Sequence, residues 1–161
     1  MKWTANGYRL PTEAEWEKAS RGGLNGKRFP WGDTITHSQA NYYSSASYAY
    51  DISPTRGSHP TWGQGTSPVG SFAANGYGLY DMAGNLWEWC WDGYDGNWYG
   101  TPLATADNSP GPGSAQSYRV LRGGSWGFYV GGSRCAGRGD FSPSDPYYSY
   151  FGFRCVRGLS F

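Results

Sequence analysis

Three thiols and two imidazoles are the side chains of this 161-residue chain that could do redox or metal chemistry: Cys90, Cys135, Cys155, His37 and His59. Three cysteines allow at most one internal disulfide and lack the paired short spacing of a zinc site. Free cysteine is among the most often buried residue types, so all three are expected to be reduced and buried. Both histidines fall in loops rich in Ser and Pro, where a solvated imidazole is expected rather than a metal ligand. A different chemistry is suggested by what one segment omits. None of the 25 residues from Gly127 to Phe151 is Trp, Met, Gln, Lys or Glu, against about four expected from the usage elsewhere in the chain. Codons for those five types never end in a pyrimidine, so they do not arise when only the adenines of an AAC asparagine codon are randomised. Codons for Phe, Tyr, Ser, Gly, Asp, Val and Pro do. Tyr, Ser, Gly and Asp are also the residues of an adaptable binding surface, because Tyr offers a large amphipathic contact with few rotors and Ser and Asp offer polar ones.

Such a surface needs a frame, and the composition says how the frame is built. With 26 Gly, 10 Pro and only 16% charged residues, the chain is neither a coiled coil nor a helical bundle. Leu, Ile, Val and Phe are few, so nine Trp and fourteen Tyr must supply the core, each burying about 150–250 Å². Thirteen basic residues balance twelve acidic ones, which leaves no field for nucleic acid. No apolar run reaches the roughly 18 residues of a membrane span, and Met1-Lys2-Trp3-Thr4 does not open a signal segment, so a soluble chain with no direct membrane insertion is expected. Thr12-Glu13-Ala14-Glu15 is a capping box that predicts a helix from Glu13, ended by Gly22-Gly23. Leu79–Met82 and Leu86–Trp91 are predicted to form a strand pair around Ala83-Gly84-Asn85, and Arg119–Arg122 and Phe151–Val156 two further short strands. Residues 24–70 and 92–117 read as long ordered loops.

Five blocks in one order, Arg9-Leu10-Pro11-Thr12-Glu13-Ala14-Glu15-Trp16-Glu17, Phe29-Pro30-Trp31-Gly32, Asn75 through Trp89, Arg122-Gly123-Gly124-Ser125-Trp126 and Gly152-Phe153-Arg154, resemble the formylglycine-generating enzyme (sulfatase-modifying factor) family over nearly the whole chain. The resemblance implies one α+β, C-type-lectin-like domain over residues 1–161, loop-rich with short antiparallel strands. In the sulfatase-modifying members a reactive cysteine pair lies between the Gly-Gly-Ser-aromatic block and an Arg-Cys-Ala-x-Arg block, where it binds copper. Here that interval, Gly127 to Ser133, holds no thiol, and no other side chain supplies a soft Cu(I) site or a redox couple. No enzyme activity and no catalytic cofactor are expected. A related branch that holds iron with a histidine cluster would need more imidazoles than the chain has.

The Gly-Gly-Ser-Trp block, the adenine-mutated segment at about 127–151 and the closing Gly-Phe-Arg also resemble the variable proteins of diversity-generating retroelements, which use this fold to display a diversified ligand-binding surface. On that resemblance the variable positions are Gly127, Phe128, Tyr129, Gly131, Gly132, Gly137, Gly139, Asp140, Phe141, Ser142, Asp145, Tyr147, Tyr148 and Tyr150. Trp126, Arg134, Ala136, Arg138, Pro143, Gly152, Phe153 and Arg154 are the frame. The aromatic members are expected to be exposed, and the partner to be a protein or other macromolecule at a cell or viral surface. The family resemblance further implies a structural calcium site at Asp81, Gly84, Leu86 and Glu88, with oxygen ligands that suit Ca²⁺; without calcium, Asp81 caps the turn and Glu88 forms a salt bridge. A second family site, at Asn41 and Tyr42, lacks its acidic ligand because Thr61 replaces it. The alternative function is an oxidoreductase or pseudo-enzyme of the family in which Cys135 retains chemistry. Calcium-dependent sugar binding is the third.

Overall fold

A computed structural model describes residues 7–105, 111–112, 116–145 and 148–157. The capping box forms as read: the Glu15 amide donates to Thr12 Oγ1 at 3.2 Å and the Thr12 amide to Glu15 Oε2 at 2.8 Å, starting helix α1 at Glu13–Arg21. Gly22 closes it with a φ of 56°, a left-handed conformation that glycine adopts at no steric cost.

A four-stranded sheet carries the body, in the order β4 (Arg138–Phe141), β3 (Arg119–Arg122), β2 (Trp87–Gly93), β5 (Phe151–Gly152). The β4–β3 and β3–β2 pairs are antiparallel, whereas β5 runs parallel to β2. A separate two-stranded pair joins β1 (Tyr8–Arg9) to β6 (Val156–Arg157) and so ties the two ends of the described chain together. The mixed sheets, the single α-helix among the described residues and the long loops make an α+β fold. Leu79–Met82 is not a strand. Asp81 and Asn85 both adopt positive φ, 56° and 66°, which breaks an extended run, and β2 takes β3 as its antiparallel partner instead. The Phe151–Val156 run is split, with Phe153 to Cys155 unpaired between β5 and β6.

Strand β2 alternates, but not with every tryptophan inside. Trp87 is buried, while Trp89 and Trp91 are half-buried and Glu88, Cys90 and Asp92 take the buried face. That face meets α1, so it is built from paired charge as well as apolar surface. Trp16, Met82, Cys90 and Val120 form its apolar part. Beside them Arg122, fully buried, donates to Glu17 Oε2 and to the carbonyls of Cys135 and Gly137, 3.7 Å from Glu13. A second core under the loops packs Phe29, Ile35, Ala40, Tyr42, Ala83 and Val130.

The histidines are not solvated. Both are buried, with ring centroids 5.2 Å apart. His59 Nδ1 accepts from the Thr61 amide, so its Nε2 donates to the His37 carbonyl at 2.9 Å. The loop sequence hid this burial because, beside the near neighbours Tyr42 and Trp62, the histidines pack on each other and His59 on Phe72, partners distant in the chain. No helix among the described residues is long and apolar enough to cross a membrane.

Candidate ligand-binding surface

The segment after Trp126 is held at alternate points and open between them. The Trp126 amide donates to the Asn85 carbonyl at 2.9 Å, and the Tyr43 amide donates to the Phe128 carbonyl at 3.1 Å, placing Tyr43 beside Tyr129 in a parallel bridge. Val130 and Ser133 are buried, the Cys135 amide donates to the Arg28 carbonyl at 2.8 Å, and Arg138 grips both oxygens of Glu13 at 2.7 and 2.9 Å. Between these anchors Gly127, Phe128 and Tyr129 are exposed, Phe128 at 43% and Tyr129 at 55%. Asp140 and Asp145 are exposed as well, and Gly131, Gly139, Phe141, Ser142 and Tyr150 are half-buried. Tyr147 and the side chain of Tyr148 lie outside the described residues.

Two positions assigned to the variable set leave no room for a side chain. A β-carbon at Gly132 would lie 2.5 Å from Trp87 Cη2, and one at Gly137, which is buried, would lie 2.6 Å from the Gly132 carbonyl oxygen and 2.9 Å from that of Gly131. Neither place admits a side chain without moving buried neighbours. Gly139 is intermediate, 3.1 Å from the same indole. By contrast, a β-carbon at Gly131 meets its nearest atom, Tyr48 Oη, at 3.6 Å, an ordinary contact. In the other direction, Arg134 and Ala136, read as frame, are exposed.

The open aromatics form a connected surface. Tyr150 stacks at a tilt on Trp126, 4.8 Å between centroids, and meets Phe128 edge-on at 5.4 Å. Tyr129 meets Tyr43 edge-on at 5.3 Å and lies 6.4 Å from Tyr48. Further along, a cavity of about 360 Å³ lies between Trp89, Trp91 and Phe151, with Arg119 and Asp145 on its wall. Sequence reasoning missed Tyr43 and Tyr48. The available signal was four tyrosines within Tyr42 to Tyr50 of a Ser-rich loop, too many for one small core to enclose; Tyr42 is buried there and Tyr43 exposed.

The cysteines divide. Cys135 is 1% exposed, its sulfur accepting from Ser20 Oγ at 3.4 Å, and burial pushes its thiol above the ordinary value. Cys90 is buried and pushed up likewise. Cys155 is exposed, contrary to the expectation of burial, because it sits in the unpaired stretch between β5 and β6. Of the implied calcium ligands, Asp81, Gly84 and Leu86 are in the loop entering β2 and Glu88 is on the strand itself. Glu88 is bound at both oxygens by Arg154 and also accepts from Trp16 Nε1 at 2.7 Å. Asp81 accepts from the Gly70 amide at 2.7 Å through Oδ2, while its buried Oδ1 has no hydrogen-bond partner. Gly84 sits against the Asn41 backbone with no room for a side chain, and Leu86 packs on Gly152. Among the described residues no three His, Cys, Asp or Glu side chains converge on a common point.

A family description, sulfatase-modifying factor enzyme 1-like domain, matches residues 1–159. Among curated relatives, the serine/threonine-protein kinase pkn1 of Chlamydia caviae is 44% identical over 95% of this chain and 21% of its own length. The formylglycine-generating enzyme of Thermomonospora curvata is 40% identical over 93% of this chain and 49% of its own. The solved structure of Treponema denticola variable protein 1 superposes with a TM-score of 0.75 at 34% identity, covering 99% of this chain and 50% of that one. The chain thus spans half or less of the length of these relatives. A match that runs through the capping box of α1, all four sheet strands and the anchored segment after Trp126 makes this protein a member of the sulfatase-modifying factor, or formylglycine-generating enzyme, family.

Proposed function

We propose that this protein is a ligand-binding variable protein of a diversity-generating retroelement, a fixed frame that displays a diversified surface at about residues 127–151 to a protein or other macromolecule at a cell or viral surface. One observation carries the reading: within a single segment, side chains at 128 and 129 point outward while Val130, Ser133 and Cys135 are buried, so identity can change at one set of positions without touching the other. Connected exposed aromatics are the usual mark of an interaction site, and the likeness to a variable protein of Treponema denticola agrees with it. The chain's missing codon classes point the same way. The test is a library randomised at Phe128, Tyr129, Gly131, Asp140 and Asp145. Folding retained by most members, with selectable binders to unrelated proteins, is the expected result; wholesale unfolding overturns the proposal. In the genome, a near-copy of the final coding stretch with AAC at these codons, beside a reverse transcriptase, is expected.

The reading is of a non-enzyme. The oxidoreductase alternative would rest on Cys135, and a buried thiol held in its neutral form is a poor nucleophile. Copper-dependent oxidation of a thiol peptide that disappears in Cys135→Ser would favour the alternative.

Calcium belongs to the proposal as a structural ion. Asp81 Oδ1, buried without a partner, is the oxygen that fits, and with the carbonyls of Gly84 and Leu86 it would hold a hard cation; Glu88 would be shared with Arg154. The ion would brace the loop before β2. An unfolding midpoint that rises with calcium concentration and falls with chelator is expected, and equal midpoints overturn it.

A further inference from the structure

We propose that the binding surface has a fixed, cationic half built outside the diversified positions, by Arg28, Tyr43, Tyr48 and Tyr50 ahead of the segment and the frame residue Arg134 within it, and that it takes an acidic peptide segment of the partner. This rests on the proposed function and adds the chemistry of the partner to it. The cluster is continuous: Tyr43 touches Tyr129, Tyr129 faces Tyr48, Tyr48 lies 5.5 Å from Tyr50, and the Arg28 guanidinium sits 4.5 Å over the Tyr50 ring. Arg134 reaches the same place from the other side of the segment. Its Nε donates to the Gly131 carbonyl at 2.8 Å, and Gly131 is the residue that faces the Tyr48 phenol.

Charge decides the occupant. Arg28 and Arg134 are exposed, and among the described residues neither guanidinium is in an ion pair. The nearest acids are already engaged. Asp33 is held by Lys27 at 2.7 Å and accepts from the Arg28 amide, and Asp51 is buried against Tyr42, Ser44 and Arg56. Two guanidiniums outside any ion pair, Arg28 held by the Asp33 carbonyl at 2.9 Å, therefore flank a row of tyrosine rings in a chain whose total charge is only +1. A guanidinium fork binds carboxylates in a bidentate way, while tyrosines add contact area at small entropic cost. Because Arg28 and Tyr43 to Tyr50 precede the diversified segment in the chain, every variant would inherit this preference, and diversification would act on top of it.

The experiment uses the protein with its present surface, labelled for NMR, and two probes of about twelve residues, one repeating Glu-Gly-Asp-Gly and one repeating Lys-Gly-Arg-Gly. The acidic probe should give saturable shifts centred on Arg28, Tyr43, Tyr48 and Arg134, weakened at least about fivefold in Arg28→Ala/Arg134→Ala and at about 0.5 M salt; the basic probe should give none. Equal binding of both probes, shifts elsewhere, or an unchanged affinity in the double variant overturns the inference. Library binders that show no preference for acidic partners would overturn it too while leaving the proposed function standing, whereas a library that does not fold removes both.

Discussion

The Cα of Gly132 faces the edge of the Trp87 indole so closely that an added β-carbon would stand 2.5 Å from Cη2 and 2.6 Å from Cζ2. Trp87 is itself buried, with Phe128 packed on it at 6.0 Å, so the ring has no free direction in which to retreat. The open aromatic surface is thus separated from the core by the width of one glycine.

Gly132→Ala is therefore expected to destabilise by about 1–3 kcal/mol, the usual cost of overpacking a filled core. Gly131→Ala, one residue away but 3.6 Å from its nearest neighbour, should stay within about 0.5 kcal/mol. Urea unfolding of the pair measures the contrast. Equal stabilities would place residue 132 back among the variable positions.

The same logic applies in reverse to Phe128 and Tyr129. Their rings are about half exposed and pack on Trp87 and Tyr150 and on Tyr43 and Tyr48, so Phe128→Ser/Tyr129→Ser should cost at most about 2 kcal/mol in thermal unfolding while abolishing binding of any ligand selected against this surface. A loss of folding in the double variant would mean that the rings are core.

What could be read from the sequence was local, and what could not was long-range. Thr12, Glu15 and Gly22 specify the helix through bonds within a few residues of one another, so the capping box and the stop were legible. The Leu79–Met82 strand was not real because Asp81 turns to positive φ to present its carboxylate to Gly70, a demand no periodicity reveals. His37 and His59 look solvated by their neighbours in the chain and are buried by rings brought in by folding. In the surface itself, the omitted codon classes marked the segment from Gly127 to Phe151, but not that Gly132 and Gly137 lie under it, nor that Tyr43 and Tyr48 complete it.

Arg122 is expected to be the most sensitive charge in the frame. It is fully buried, paired with Glu17, close to Glu13 and bonded to the carbonyls of Cys135 and Gly137. Replacing it by Met leaves Glu17 Oε2 and two carbonyls without their donor, although Glu17 keeps Arg21 and Glu13 keeps Arg138, so the loss is expected near the lower end of the range for breaking a buried pair, about 3 kcal/mol. Arg122→Lys should fall between, since an ammonium keeps the charge but not the fork. Chemical denaturation ranks the three proteins; a Met variant as stable as the parent would show that the network contributes nothing net.

Acid acts on this frame in two opposed ways, which one substitution separates. Asp92, buried with its Oδ2 accepting from the Glu13 amide at 2.7 Å, is pushed up to about 6, chiefly by desolvation. A carboxyl raised above its unfolded value takes its proton more readily in the folded state, so stability increases as pH falls through about 6. His37 and His59 are lowered by burial; they resist protonation when folded, and the stability they provide above their unfolded value near 6.5 is lost as pH falls below it. Asp92→Asn keeps an acceptor for the Glu13 amide while removing the carboxyl titration. The variant is expected to gain on the parent at pH 7, where the parent holds a buried charge, and to give back about 1 kcal/mol of that advantage by pH 5. Unfolding free energies of both proteins from pH 7 to pH 5 measure the difference between the two slopes. Parallel profiles would mean that Asp92 titrates as an ordinary carboxylate and that the histidines alone set the acid limb.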